Sequence, residues 1–362
     1  MAEANPSVYH SRGKPLRAGP RSLPLAEWPQ VDQEAWQDAC RPACRLKRGG
    51  AASHLAAVSQ GDFENRYGAF LGFLDRHKRL DLNVADAVAH VTPQNVEDYV
   101  AELQTRVRSL TVWNCVYKLR RAAELMTTTP AFSWLAEIEK DLALIMVPRS
   151  KYDRLVMTVR LLEAGLTLIA EAEAFAKSDH ARAKGVRNGL MIALLALCPI
   201  RVNNFAALEL GRTFLEINGD WWIALPSGST KNRKVDERRV PCLLKSDIGL
   251  YVNKYRQILM RSHRRTNALW LSSTDGQPLT ANNMGSLVSK NTRETIGIAV
   301  SPHLFRTAAA STAAVYGDNN PYLASVLLQH TDPRVTEEHY NRASSMSAMS
   351  DYSAITDTFR CK

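Results

Sequence analysis

The sequence predicts a mainly α protein (α+β) of two domains, a four-helix bundle followed by a mostly helical domain with one small antiparallel three-stranded sheet. Three observations carry that expectation. Apolar residues recur at three-and-four spacing through most of the chain. The period changes to two only between Thr213 and Leu243, around Asn218-Gly219-Asp220, where Asn-Gly is the strongest short hairpin signal. An aperiodic stretch with a proline and several charges, 147–154, separates the first four helices from the rest.

Taken in order, residues 1–50 are rich in Pro and Arg and have little periodicity, so they read as a flexible arm with at most a short helix around Gln33–Ala39. Within 51–146, Phe63, Tyr67, Phe70, Leu71 and Leu74 mark a first helix. A second starts at Thr92-Pro93, a cap followed by proline at the first helical position. The third runs from about Ser109 to Met126, and the fourth, Phe132–Leu144, places Leu135, Ile138 and Leu142 on one face. Short loops between four helices make a bundle. From 155 to the end come helices at about Leu155–Lys177 and His180–Leu197, strands at Thr213–Ile217, Trp221–Leu225 and Arg238–Leu243, then helix starts at Lys245, Thr280, Pro302, Pro321 and Pro333.

Composition narrows the function classes. The chain has 362 residues, 45% hydrophobic and 23% charged, which excludes fibrous and disordered classes. The longest apolar run, Gly189–Ile200, is shorter than the roughly 20 residues that span a bilayer. The first 30 residues hold five prolines and lack the apolar segment of a signal peptide. Six cysteines without a framework spacing suit a reducing compartment. The expectation is a soluble cytoplasmic protein. Cys40 and Cys44 lack a second ligand pair at a zinc-site spacing, so no metal and no cofactor is expected. The net charge of +10 is uneven: residues 151–300 hold 22 basic and 13 acidic residues, an excess of +9. Such a basic face points to phosphate as a partner.

Four segments could carry chemistry on a phosphate: Arg201 after the apolar Leu197-Cys198-Pro199-Ile200, Lys231 in the basic loop Ser229–Lys234, the pair His303 and Arg306, and His330 with Tyr340 ten residues on. In-line attack on a phosphodiester adds negative charge to the non-bridging oxygens, which planar guanidinium forks match. Three residues apart on a helix, His303 and Arg306 share a face. A lysine such as Lys231 can protonate a leaving oxygen, and a tyrosine such as Tyr340 can attack as a nucleophile. Taken singly each residue has an ordinary reading, as an ion-pair partner, a solvated lysine or a packed tyrosine. Tyr316, Tyr322 and Tyr352 compete with Tyr340, and Lys234 competes with Lys231.

The ordered series Arg201, Lys231, His303-x-x-Arg306, His330, Tyr340 resembles the catalytic set of the tyrosine recombinases, the phage integrase family, over residues 185–342. The preceding bundle is similar to that family's core-binding, DNA-binding domain. The chain departs from the family pattern in Asn204, where an acidic residue usually follows the first arginine, in Gln329 for the glycine before the second histidine, and in a His330-to-Tyr340 spacing one residue longer than the commonest. The resemblance implies a metal- and ATP-independent site-specific recombinase acting through a 3′-phosphotyrosine intermediate. Arg201, Arg306 and His330 would hold the phosphate oxygens, Lys231 would be the general acid, and His303 the general base. It also implies double-stranded DNA as partner, a nucleoid location, and a dimer per site that becomes a tetramer at synapsis, with accessory proteins as further partners. A type IB topoisomerase and a catalytically inactive DNA-binding relative are the alternative readings.

Two features complete the reading. Lys254, Arg261 and Arg265 fall at i, i+7 and i+11 of one expected helix, flanked by Arg256 and Arg264, a stripe suited to the phosphate backbone. After Tyr340, an apolar stripe of Met346, Met349, Tyr352, Ile355 and Phe359 suits a terminal helix that docks on a neighbouring protomer.

Overall fold

Helices build most of the computed structural model, which describes residues 22–129, 132–147, 154–230, 234–260, 265–316 and 323–328. The chain divides into two units, 1–149 and 150–362.

In the first unit, α1 (Gln30–Cys40) precedes α2 (Ala57–Arg76), α3 (Pro93–Arg106), α4 (Ser109–Met126) and α5 (Ser133–Leu144). The bundle core is aromatic, with Tyr67, Phe70 and Phe73 of α2 packed on Tyr99 of α3 and on Trp28. The Thr92 hydroxyl accepts from the Asn95 N–H at 3.3 Å, the cap expected at the start of α3.

The described part of the amino-terminal segment is not an arm. Helix α1 is longer than Gln33–Ala39 and buries Trp36 in the same core as α2 to α5. Asp32, fully buried, accepts from the Tyr67 hydroxyl at 2.8 Å and from the Val88 N–H at 2.6 Å, which fastens α1 to α2 and to the α2–α3 loop. Its mean hydropathy is low, and its buried polar anchor looks like a surface residue in sequence.

In the second unit, α6 (Thr158–Phe175) packs along α7 (Asp179–Leu197). Their contact is so close that a Cβ on Gly165 would sit 2.6 Å from the Ala193 nitrogen, and one on Gly189 would sit 2.6 Å from the Gly165 oxygen. Helix α7 is buried on all sides from Val186 to Ala196, which explains why its sequence is apolar all round. Arg187, fully buried within it, donates to the Leu271 carbonyl at 2.5 Å and to the Asn188 side chain at 2.7 Å.

After the single turn α8 (Val202–Ala206) come β1 (Phe214–Ile217), β2 (Asp220–Leu225) and β3 (Asp236–Arg239), an antiparallel sheet in the order β1-β2-β3. Asn218 and Gly219 both take positive φ, +52° and +77°, in the two-residue turn that pairs Ile217 with Asp220. Helix α9 (Lys245–Leu250) runs through a wide π-type turn, Tyr251–Tyr255, into α10 (Arg256–Met260). Helices α11 (Ala281–Ile296), α12 (Pro302–Tyr316) and α13 (Leu323–Leu328) complete the described fold. Among the described residues no helix is long and apolar enough to cross a membrane, and no group of three metal-binding side chains occurs.

Candidate nucleic-acid active site

The site grows from the end of α7. The apolar helix stops at Cys198-Pro199, where proline cannot continue the hydrogen-bond ladder, and Arg201 leads into α8 half-buried. Asn204, one turn on, is also half-buried and brings no charge. His303 lies exposed in the first turn of α12, and Arg306 lies one turn further along that helix.

Arg306 is only 8% exposed. Its Nη1 donates to the Pro199 carbonyl at 2.6 Å and its Nη2 to the Leu328 carbonyl at 2.6 Å. Pro199 is two residues before Arg201, and Leu328 is two residues before His330. One side chain thus joins three of the four segments singled out in the sequence. Burial is the main cause that pulls the Arg306 guanidinium down to about 10, with repulsion from Arg201 and Arg238 adding to it and the Asp236 carboxylate opposing it.

Strand β3 brings two further charges to bear on Arg306. The Thr230 hydroxyl donates to the Lys234 carbonyl at 2.6 Å. Three residues beyond Arg233, Asp236 and Arg238 form a two-point ion pair, with Nε to Oδ1 at 2.7 Å and Nη2 to Oδ2 at 3.0 Å. The same pair acts electrostatically on Cys198, whose thiol is pushed up to about 12, chiefly by burial. Lys231 itself, His330 and Tyr340 lie outside the described residues, as does the apolar stripe 346–359.

The expected phosphate-contact stripe does not stand as one face. Arg256 is 4% exposed, and its guanidinium is spent on the chain itself, donating to the Ala268 carbonyl at 2.8 Å and to the Thr266 carbonyl. Two residues on from the exposed Lys254, Arg256 sits about 200° round the helix and faces inward. Helix α10 ends at Met260, so Arg265 falls beyond it and is exposed on a different segment. Lys254 stays exposed, its ammonium 5.0 Å from the Tyr255 ring centre. Arg261 and Arg264 lie outside the described residues.

Asp236 and Arg238 are charged residues that motif reading passed over. Their signal was present: alternation over Asp236-x-Arg238-x-Val240 puts all three on one face, and Val240 is buried.

Comparison with known proteins gives this arrangement a family. Residues 167–346 match the model of the phage integrase family. No curated protein sequence is matched significantly. Among solved structures, the fold resembles the Tn1549 transposon integrase in complex with transposon right-end DNA, with a TM-score of 0.52 at 12% identity, over 89% of this chain and 98% of that one. It also resembles the XerH site-specific recombinase bound to its difH substrate in a pre-cleavage complex, with a TM-score of 0.51 at 15% identity, over 76% of this chain and 74% of that one. By its domain over residues 167–346, the chain belongs to the phage integrase family, the tyrosine recombinases.

Proposed function

We propose that the protein is a site-specific DNA recombinase that cuts and rejoins strands through Tyr340. The observation that carries this reading is the pair of hydrogen bonds from Arg306, which ties the backbone beside Arg201 to the backbone beside His330 within the family domain. Arg201, Arg306 and His330 converge on the non-bridging oxygens of one phosphate, where charge grows as the phosphorus becomes five-coordinate.

The Tyr340 oxygen attacks phosphorus as His303 takes the phenolic proton, and a 3′-phosphotyrosyl bond forms. The bond from phosphorus to the 5′ oxygen breaks, and Lys231 gives that oxygen a proton. The phosphotyrosyl ester keeps the energy of the phosphodiester, so a second 5′-hydroxyl can attack it and reseal the strand without ATP. The groups named here supply the positive charge and the proton transfers that the step needs.

The partner is double-stranded DNA. Protomers associate on it, two per site and four at synapsis, through the apolar stripe 346–359. Covalent capture on duplexes carrying one or two copies of the bound site tests this reading. Strand exchange that appears only with two copies is the expected result, and resealing of the same strand without a partner site would mark DNA relaxation instead.

A further inference from the structure

Strand β3 carries two charges on a face built for apolar residues. In the sheet register Asp236 faces Leu225 and Arg238 faces Ile223, and both β2 residues are buried, at 2% and 0% exposure. The two charged side chains are themselves 10% and 13% exposed. A buried ion pair is a weak source of stability, because the desolvation of both ions offsets most of their attraction. Apolar residues at 236 and 238 would continue the face that Val240 shares. The location of the pair gives it a different use. Arg306 on α12 is bonded to the Pro199 carbonyl two residues before Arg201, and it feels the charges of Arg201 and Arg238 and, opposing them, of the Asp236 carboxylate.

We propose that the Asp236–Arg238 pair is a positioning element of the active site: Asp236 fixes the Arg238 fork and provides the counter-charge that lets Arg201, Arg238 and Arg306 stand together before a phosphate enters. The proposal rests on the strand-cutting function given above. Three guanidiniums with no anion between them repel one another, and a flexible cluster would spread. One carboxylate held at 2.7 and 3.0 Å from Arg238 lowers the formal charge of the group from +3 to +2. A phosphodiester carries one negative charge at rest and a second as the phenolate oxygen adds, so a cluster of +2 favours the five-coordinate state over the resting one. The groups that bear on Arg306 from the elements around it are Arg201, Arg238 and Asp236, with His303 one turn away on its own helix.

The test uses the full chain and a nicked duplex carrying the site recovered by selecting bound fragments from random DNA. Asp236→Asn keeps the size and one acceptor but removes the charge. It is expected to bind the duplex within about threefold of wild type. Its covalent adduct should form at least tenfold more slowly, and the alkaline limb of its pH–rate profile should move to lower pH, because Arg306 loses the group that favours its charged form. Asp236→Glu should recover part of the rate and restore the limb. An Asp236→Asn rate within twofold of wild type, or a slower rate with an unmoved alkaline limb and no rescue by Glu, overturns the proposal. If the wild type forms no adduct, the strand-cutting function itself fails and this proposal falls with it. Wild-type reaction alongside an unaffected variant removes the positioning role alone.

Discussion

Arg306 donates to the carbonyl oxygen of Leu328 across 2.6 Å, and in doing so fixes the end of α13 two residues before His330. With its second bond, to Pro199, the side chain spans the turn that leads to Arg201. Lysine cannot reproduce a planar fork that satisfies two carbonyls at once. Arg306→Lys should therefore lower stability by roughly 1–3 kcal/mol, the cost of one unpaired buried carbonyl. Adduct formation should fall at least a hundredfold, read from denaturant melts and covalent capture. A variant that keeps both stability and reactivity would show that the two bonds do not assemble the site.

Arg256 and Arg265 give opposite expectations despite their shared charge. The Arg256 guanidinium is buried on the Thr266 and Ala268 carbonyls, so Arg256→Ala should cost roughly 2–4 kcal/mol of stability and leave the salt dependence of DNA binding unchanged. Arg265 is exposed, so Arg265→Ala should leave stability alone and reduce the slope of log affinity against log salt by about one unit. Titrations of duplex binding at four salt concentrations separate the two. Equal slopes for wild type and Arg265→Ala would remove that residue from the DNA contact.

The first unit should loosen in mild acid. His90 is buried and its Nε2 accepts from the Asp81 N–H at 3.0 Å, which needs a neutral ring. Burial lowers its pKa below 6.5, against the opposing pull of Asp32 and Asp81. A base depressed by folding contributes stability above its unfolded pKa and loses it as pH falls through the folded one. Asp32, raised chiefly by burial, has the reverse sign: its contribution is present at low pH and fades as pH rises through its folded value. Amide exchange of α2 and α3 should accelerate on lowering the pH from 7 to 5, once the intrinsic pH effect is removed. His90→Gln, which keeps an acceptor for Asp81, should flatten that trend. An equal trend in both proteins would move the acid sensitivity elsewhere.

Removal of the chain after Arg342 should leave single-protomer binding to duplex DNA intact and abolish the paired-site complex in gel-shift and light-scattering measurements. A truncated protein that still pairs two sites would take the self-association role away from the apolar stripe 346–359.

The fold was legible wherever one periodicity ran without interruption. Helix α4 occupies Ser109–Met126, as its apolar spacing indicates, and the Asn218-Gly219 turn forms where its positive φ values demand such residues. Legibility failed where tertiary contacts override local pattern. Helix α1 is anchored by the buried carboxylate of Asp32, which no hydrophobic count registers. Arg256 faces inward because its guanidinium is taken up by the Thr266 and Ala268 carbonyls, a tertiary contact that charge spacing along the helix does not register. At the site, the motif residues were visible as types in order. The Asp236–Arg238 pair was hidden because reading a strand as apolar-in and polar-out assigns charged residues to the solvent side.

The most direct measurement is covalent capture on the selected duplex by wild type and by Tyr340→Phe. The wild type should yield a denaturant-resistant protein–DNA adduct on a 3′ phosphate. Tyr340→Phe should bind the same duplex with similar affinity and yield no adduct. An adduct that persists in Tyr340→Phe, or a wild type that binds its site and never becomes attached to it, would contradict the assignment of Tyr340 as the nucleophile.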